Sequence, residues 1–376
     1  MIYLDYNATT PVDPQVAAAM LPILTEPFGN PSSAHAQGQA ARAAIDGARR
    51  QVADCLEAPV GGVIFTSGGT EANNHALIGA ARKMKDRGRH LVTTAVEHPA
   101  VSEVCRFLET EGFHTTYVPV DGTGRVDPAD VDAACTDETV LISVMLANNE
   151  VGTLQPVAEI ARQARMRNIL THSDCAQAVG KIPVSLATLG VDMLSVAGHK
   201  LYGPKGIGVL CLRDGLTLPN LMFGAGHEAG RRPGTENILE IVGLARACEL
   251  VAADVVEDGP RLAALRDGLQ RDLLAAFPQA RVHGHPDLRL PNTLSIGFPD
   301  LEVARIMALM PEVAVSAGAA CHGSGSPVIS HVLAAMGVPE AYAHGTLRLS
   351  LGRPTTDADV AAGLAEIIRA VSAAMG

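Results

Sequence analysis

Residues Val140 to Asp174 read VLISVMLANNEVGTLQPVAEIARQARMRNILTHSD. The run Val140–Leu146 is short and uncharged, which suits a strand buried on both faces. Val157, Ile160, Ala161 and Ala164 then recur at the spacing of one helix face, and Ile169–Ser173 is a second apolar run of strand length. Strand, helix and strand in so short a stretch make a crossover unit, which brings its two strands together in parallel.

The alternation continues outward. Val63–Thr66, Leu91–Thr94, Met193–Val196 and Gly208–Leu212 are further strand candidates. Val101, Val104, Cys105 and Leu108 follow helical spacing up to Gly112. Asp13-Pro14 reads as the cap and first position of a helix carrying Val16, Met20 and Ile23. This order predicts an α/β fold: a large domain, residues 14–250, whose mostly parallel sheet is sandwiched by helices. After about residue 250 the order changes to a helix near Leu262–Phe277, strands at Val282, Leu294–Phe298 and Leu347–Leu351, and a last helix. That helix carries Val360, Leu364, Ile367, Ile368 and Val371 on one face. A smaller C-terminal α+β domain, residues 251–376, is expected, with residues 1–13 packing against it as an N-terminal segment. Ser316–Ser326, SAGAACHGSGS, has the small, flexible composition of a loop.

With 47% hydrophobic and 18% charged residues over 376 positions, the chain can bury a large core, and disorder is excluded. A formal net charge of −11 argues against a broad nucleic-acid-binding face. No uncharged apolar stretch approaches the length of a membrane span, and Met1–Asn7 lacks the pattern of a secretory signal. The cysteines, at 55, 105, 135, 175, 211, 248 and 321, are odd in number and form no CxxC pair. Neither a disulfide framework nor a zinc ribbon is expected, and a reducing cytoplasm fits best.

Chemistry concentrates in a few stretches. SGGTEANN, Ser67 to Asn74, follows an apolar strand with a glycine pair and a helix start, so free backbone N–H groups and the helix dipole face an anion. Alone, it says phosphate and not which phosphate. THSDCAQ, Thr171 to Gln177, puts Asp174 at the mouth of the sheet, where ligands bind. There Asp174 either keeps a heterocyclic nitrogen protonated or caps the next helix. SVAGHKLYGPKGIG, Ser195 to Gly208, places His199 and Lys200 after a strand; a lysine sheltered there has a lowered pKa and can form a Schiff base. VEHPAV sets His98 just before a helix, to stack on a flat ring and relay protons, or to cap. The alternate spacing of His283 and His285 suits a turn, so no metal site is expected.

Taken together, YLDYNATTPVDP, FGNPSSAH, FTSGGTEANN, EHPAV, NNEVGTLQP, HSDCAQ, GHKLYGPKGIG, RRPGTEN, SAGAACHGS and LRLSLGR resemble the successive motifs of the cysteine desulfurases. These are class V aminotransferase-like members of the fold-type I pyridoxal-phosphate enzymes, and the resemblance spans nearly the whole chain, in order. It implies an enzyme that holds pyridoxal 5'-phosphate and converts L-cysteine to L-alanine. It implies that Lys200 carries the cofactor as a Schiff base, Asp174 pairs with the pyridinium nitrogen, His98 stacks on the ring and Gln177 bonds its phenolic oxygen. Gly69, Thr70 and His199 would hold the phosphate, with Thr235 reaching it from the partner subunit of a homodimer. Asn149, also in the cofactor set, and Arg348 would receive the substrate carboxylate, with Asn30 a further substrate-binding residue. Lys200 or His98 would move the Cα proton. Cys321 would be the nucleophile, keeping the sulfur as a persulfide for an acceptor protein.

The chain also departs from the family pattern. Ala197 stands where the family has a phosphate-binding Ser, and Ala229 where an Arg is common. CHGSGSPVISHVL, from Cys321, brings His322 and one extra residue into the nucleophile loop. His322 either helps ionise Cys321 or is a solvated neighbour. The variant loop is similar to that of selenocysteine lyases, so L-selenocysteine stays open as substrate. Another aminotransferase or lyase of the same fold stays open as well.

Overall fold

The computed structural model describes residues 1–320 and 328–376, so Cys321 and His322 lie outside the described residues. The alternating segments build a seven-stranded sheet. Its strands are β1 (Val63–Thr66), β2 (His90–Thr94), β3 (His114–Val118), β4 (Thr139–Ser143), β5 (Leu170–Asp174), β6 (Met193–Ala197) and β7 (Gly208–Leu212). They lie in the order β1-β7-β6-β5-β4-β2-β3. Pairings are parallel except those of β7, which runs antiparallel to β1 and β6.

Side chains alternate between two layers, as the period of two requires. Val63, Phe65, Val92, Ile142, Leu194 and Val209 face a core shared with Ile45, Val52, Ile160 and Leu244 from helices on that side. Ile64, Leu91, Leu141, Met193 and Leu210 face the other core, shared with Leu77, Val101 and Leu108. β3 escapes the sequence reading because HTTYV lies at the sheet edge, partly exposed, and offers no apolar run. The strand expected over Val140–Leu146 ends earlier, at Ser143; the chain beyond it peels off into a loop.

The helix expected near Leu262–Phe277 is the end of a much longer one, Ile238–Ala276, which continues through Gly259 and Pro260. Proline usually breaks a helix interior, and here tertiary packing overrides it. Ile241, Leu244 and Val251 belong to the large core, whereas Leu262, Leu269 and Leu273 belong to a second one. The changeover between the cores therefore falls inside one helix, and residue 250 does too.

The second core lies under an antiparallel sheet of Ser316–Ala317, Thr346–Ser350, Thr293–Gly297 and Arg281–His283, in that order. The loop expected over Ser316–Ser326 is thus partly strand: Ser316–Ala317 pairs with Arg348 and Leu347, and Ala319–Ala320 pairs with Val328–Ile329. Small residues permit this, because the pairing uses backbone and Gly318 lies where a Cβ would come within 2.5 Å of Thr346. At the N-terminus, Ile2–Tyr3 pairs in parallel with Val313–Ala314 and Leu4 is fully buried in the second core. No helix among the described residues is long and apolar enough to cross a membrane.

Candidate active site

The carboxyl ends of β1, β2, β5 and β6 open onto one cavity of about 330 Å³. Ligands of parallel α/β sheets bind at this edge. Gly69, Thr70, His98, Asn149, Asp174, Gln177, His199, Lys200 and Arg348 all line it. Asn30 and Thr235 do not. The Asn30 carboxamide caps the turn at Ser32, and Thr235 is exposed in the RRPGTEN loop.

β1 leads into the helix Gly69–Met84, whose first N–H groups have no intrahelical acceptor. The turn is tight: a Cβ on Gly208 would lie 2.5 Å from the Gly68 carbonyl carbon. Ala197, at the end of β6, faces the same turn, where a Cβ on Gly69 would meet its methyl group at 3.2 Å.

Asp174, at the end of β5, is fixed through both oxygens. Oδ1 accepts from the Ala176 N–H at 2.9 Å and Oδ2 from Asn73 Nδ2 at 2.6 Å. The capping role and a place in the cavity wall are therefore compatible. Asn73 escapes the sequence reading, although it sits one helical turn after Gly69 and so shares its face. His98 likewise combines two roles. Its Nδ1 accepts from the Ala100 N–H at 3.1 Å, which leaves Nε2 as the proton-bearing nitrogen of the neutral ring. Burial lowers its pKa, aided by the nearby Lys200 and His331 charges and opposed by Asp174.

Lys200 follows β6 in a turn of 3-10 helix. Nζ donates to the carbonyl oxygens of Asn7 at 2.6 Å and Ala8 at 2.8 Å. Burial, reinforced by the Arg348 charge, pulls its pKa down to about 8, with Asp5 and Asp174 opposing. A lysine whose pKa is lowered by burial can act as a nucleophile or a base. His199, held by Thr9 Oγ1 at 3.1 Å, is pushed to about 4 by burial and the charges of Lys200 and Lys205.

Asn7, from the N-terminal segment, ties these groups together. Its carbonyl also accepts from Gln177 Nε2 at 2.9 Å, and its Oδ1 accepts from Lys181 Nζ at 2.9 Å. Lys181 also donates to Gln177 Oε1, which turns the Gln177 Nε2 away from it. Burial drives the Lys181 pKa well down, with Lys200 and Arg348 adding to the effect. Glu97, next to His98, is fully buried; Oε1 accepts from Met145 N–H at 3.0 Å and Thr94 Oγ1 at 2.7 Å. Burial raises its pKa to about 8.

Arg348, on the central strand Thr346–Ser350, completes the wall. Nη1 donates to the Asn149 carbonyl at 3.0 Å, and Nη2 donates to Asp5 Oδ1 at 2.9 Å and Ser316 Oγ at 2.8 Å. Ser316 Oγ in turn donates to Asp5 Oδ1 at 2.8 Å.

The family model for class-V aminotransferases matches residues 2–362. A cysteine desulfurase IscS of Methanosarcina thermophila is 45% identical over 361 residues, covering 96% of this chain and 89% of that one. A solved NifS-like protein superposes with a TM-score of 0.93 at 37% identity, covering 99% of each chain. SspA in complex with cysteine superposes with a TM-score of 0.81 at 34% identity, covering 93% of this chain and 99% of that one. A cavity at the sheet mouth, a lysine with a depressed pKa, a doubly anchored aspartate and these likenesses converge, and the chain belongs to the class-V aminotransferase family, among its cysteine desulfurases.

Proposed function

We propose that this chain holds pyridoxal phosphate on Lys200, converts L-cysteine to L-alanine and collects the sulfur on Cys321 as a persulfide. The observation that carries this reading is the placement of Lys200, with a pKa near 8, in one cavity with Asp174 and a helix N-terminus. The cavity residues fit the cofactor. Gly69, Thr70 and His199 form a phosphate cradle, Asp174 offers a fixed carboxylate to a pyridinium nitrogen, and Gln177 and His98 flank the space between. Asn73 Oδ1, buried and without a partner among the described residues, leaves a further acceptor beside Asp174.

When bound, the cofactor supplies an electron sink for the charge left at the substrate Cα. The chain's own groups do the rest. Arg348 receives the substrate carboxylate as a planar, permanently charged fork. Lys200 Nζ takes the Cα proton and returns it as alanine forms, with His98 Nε2 at hand for the same traffic. The Cys321 thiolate attacks the substrate sulfur; the new S–S bond forms as the C–S bond breaks, and its electron pair goes to the carbon that becomes the alanine methyl. The persulfide then passes to an acceptor protein. A second copy of the chain would bring its Thr235 to the phosphate, so the working unit is a homodimer with composite sites in the cytoplasm.

The test is to give purified protein L-cysteine and L-selenocysteine separately and to quantify alanine and released chalcogen. Cysteine should yield alanine and, without reductant, one added sulfur mapped to Cys321. Cys321→Ser should still bind the cofactor, yet release no alanine from cysteine. Alanine formed at wild-type rate by that variant would make Cys321 a bystander. Turnover of selenocysteine alone would transfer the assignment to selenium release.

A further inference from the structure

An arginine presents a carboxylate with two paired edges, Nη1 with Nη2 and Nε with Nη2, and both edges use Nη2. In Arg348, Nη2 already donates to both Asp5 Oδ1 at 2.9 Å and Ser316 Oγ at 2.8 Å. Nε is buried and has no hydrogen-bond partner among the described residues, although it is half of one edge. The guanidinium is thus a carboxylate receptor with a carboxylate already on it. Arg348 and Asp5 are both largely buried, with side-chain exposures of 10% and 16%, so the pair is little screened by solvent.

We propose that Asp5 is a positioning residue that acts through Arg348: its carboxylate occupies the fork until a substrate carboxylate displaces it. The proposal rests on the reading above that Arg348 receives the substrate carboxylate, and adds that recognition is an exchange of carboxylates rather than an addition. Its consequence is selectivity. A ligand with an amine but no carboxylate cannot release Asp5, whereas an α-amino acid can. The cost of the exchange appears in affinity: if Asp5 holds the fork in nine molecules of ten, the apparent affinity is roughly tenfold weaker than the intrinsic one. Ser316 stabilises the resting arrangement, because its hydroxyl donates to Asp5 Oδ1 while accepting from Nη2.

The experiment uses cofactor-loaded protein and the absorbance change on adding L-alanine, which carries the carboxylate and no sulfur, against ethylamine, which lacks the carboxylate. Asp5→Asn keeps an oxygen acceptor and removes the charge. It should tighten L-alanine binding about tenfold, leave ethylamine within about twofold, and lower KM for cysteine with little change in kcat. Ser316→Ala should tighten L-alanine binding in the same direction by about threefold, and carries the test should Asp5→Asn fail to fold. Unchanged or weaker L-alanine binding in the folded variants would overturn the exchange, as would an equal shift for ethylamine, which would mark a general disturbance of the site. Arg348→Gln separates the two levels. If it leaves L-alanine binding intact, the carboxylate-receptor reading itself fails; if it weakens binding while Asp5→Asn does nothing, only the exchange fails.

Discussion

Glu97 offers the sharpest numerical test of how burial tunes this site. Its carboxyl is fully buried, and with no cationic partner among the described residues desolvation raises its pKa from the ordinary 4.5 to about 8. Below about pH 4.5 the folded and unfolded chains both hold the proton, and the group adds no penalty. As pH rises from 4.5 to 8 the unfolded chain releases the proton while the folded chain keeps it, so stability is lost across that window and levels off above it. The shift corresponds to at most about 5 kcal/mol. For a chain of this length the unfolding entropy is roughly 0.8 kcal/mol per degree, so the loss is about 6 °C in Tm at most. Glu97→Gln keeps the oxygen that accepts from Met145 and Thr94 and cannot ionise. The Tm of this variant minus that of wild type should therefore grow by several degrees between pH 5 and pH 8, measured on the same form of the protein by thermal unfolding. A difference that stays flat, or that moves against the variant as pH rises, would refute a neutral buried carboxyl. Glu97→Ala, which strips both hydrogen bonds, should be less stable than the Gln variant throughout.

Asp174→Asn should preserve the fold, since the amide oxygen can keep one of its two anchoring bonds, yet lower turnover of cysteine by at least roughly a hundredfold; activity within a factor of about two of wild type would reduce Asp174 to a cap. Ala197→Ser should place a hydroxyl beside the helix N-terminus and slow loss of the cofactor by roughly tenfold, as one added hydrogen bond to a charged group allows. Dissociation from the loaded protein, followed by trapping the released cofactor, measures this directly, and an unchanged rate would mean that other groups already satisfy the phosphate.

The parts of the site that were legible in sequence share a cause. Gly69, His98, Asp174 and Lys200 each stand at or just beyond the end of an apolar strand, and the topology of a parallel sheet gathers those ends on one edge. Buried strands are often nearly continuous apolar runs, so β1 and β6 could be read, whereas the edge strand β3 mixes polar and apolar residues and could not. The long helix Ile238–Ala276 was hidden by Gly259-Pro260, because local propensity says nothing of a core waiting on either side. Partners far apart in the chain were hidden more completely. Asp5 and Arg348 are 343 residues apart, and nothing in YLDYN or LRLSLGR says that one neutralises the other. Glu97 was in view as the neighbour of His98, but its burial depends on where Met145 comes to lie.

The same long-range logic explains why so many of the hidden contacts converge on the first ten residues. The cavity takes Lys200 and Asp174 from the end of the seven-stranded sheet and Arg348 from the antiparallel one, so its shape depends on how the two sheets are held. The N-terminal segment bonds to both. On the antiparallel sheet, the Ser350 N–H donates to the Leu4 carbonyl at 2.8 Å, and the Asn7 N–H donates to Ser350 Oγ at 2.9 Å. Just past β6 of the larger sheet, the Thr10 N–H donates to the His199 carbonyl at 3.0 Å, and Thr10 Oγ1 accepts from the Tyr202 N–H at 2.9 Å. Between these anchors lie the Asp5 carboxylate, which meets Arg348, and the Asn7 and Ala8 carbonyls, which hold Lys200. Because the segment is bonded on both sides within a few residues, a displacement of the two sheets against each other would strain it. Its polar groups therefore both tie the small antiparallel sheet to the seven-stranded one and hold the cations Arg348 and Lys200 at the cavity.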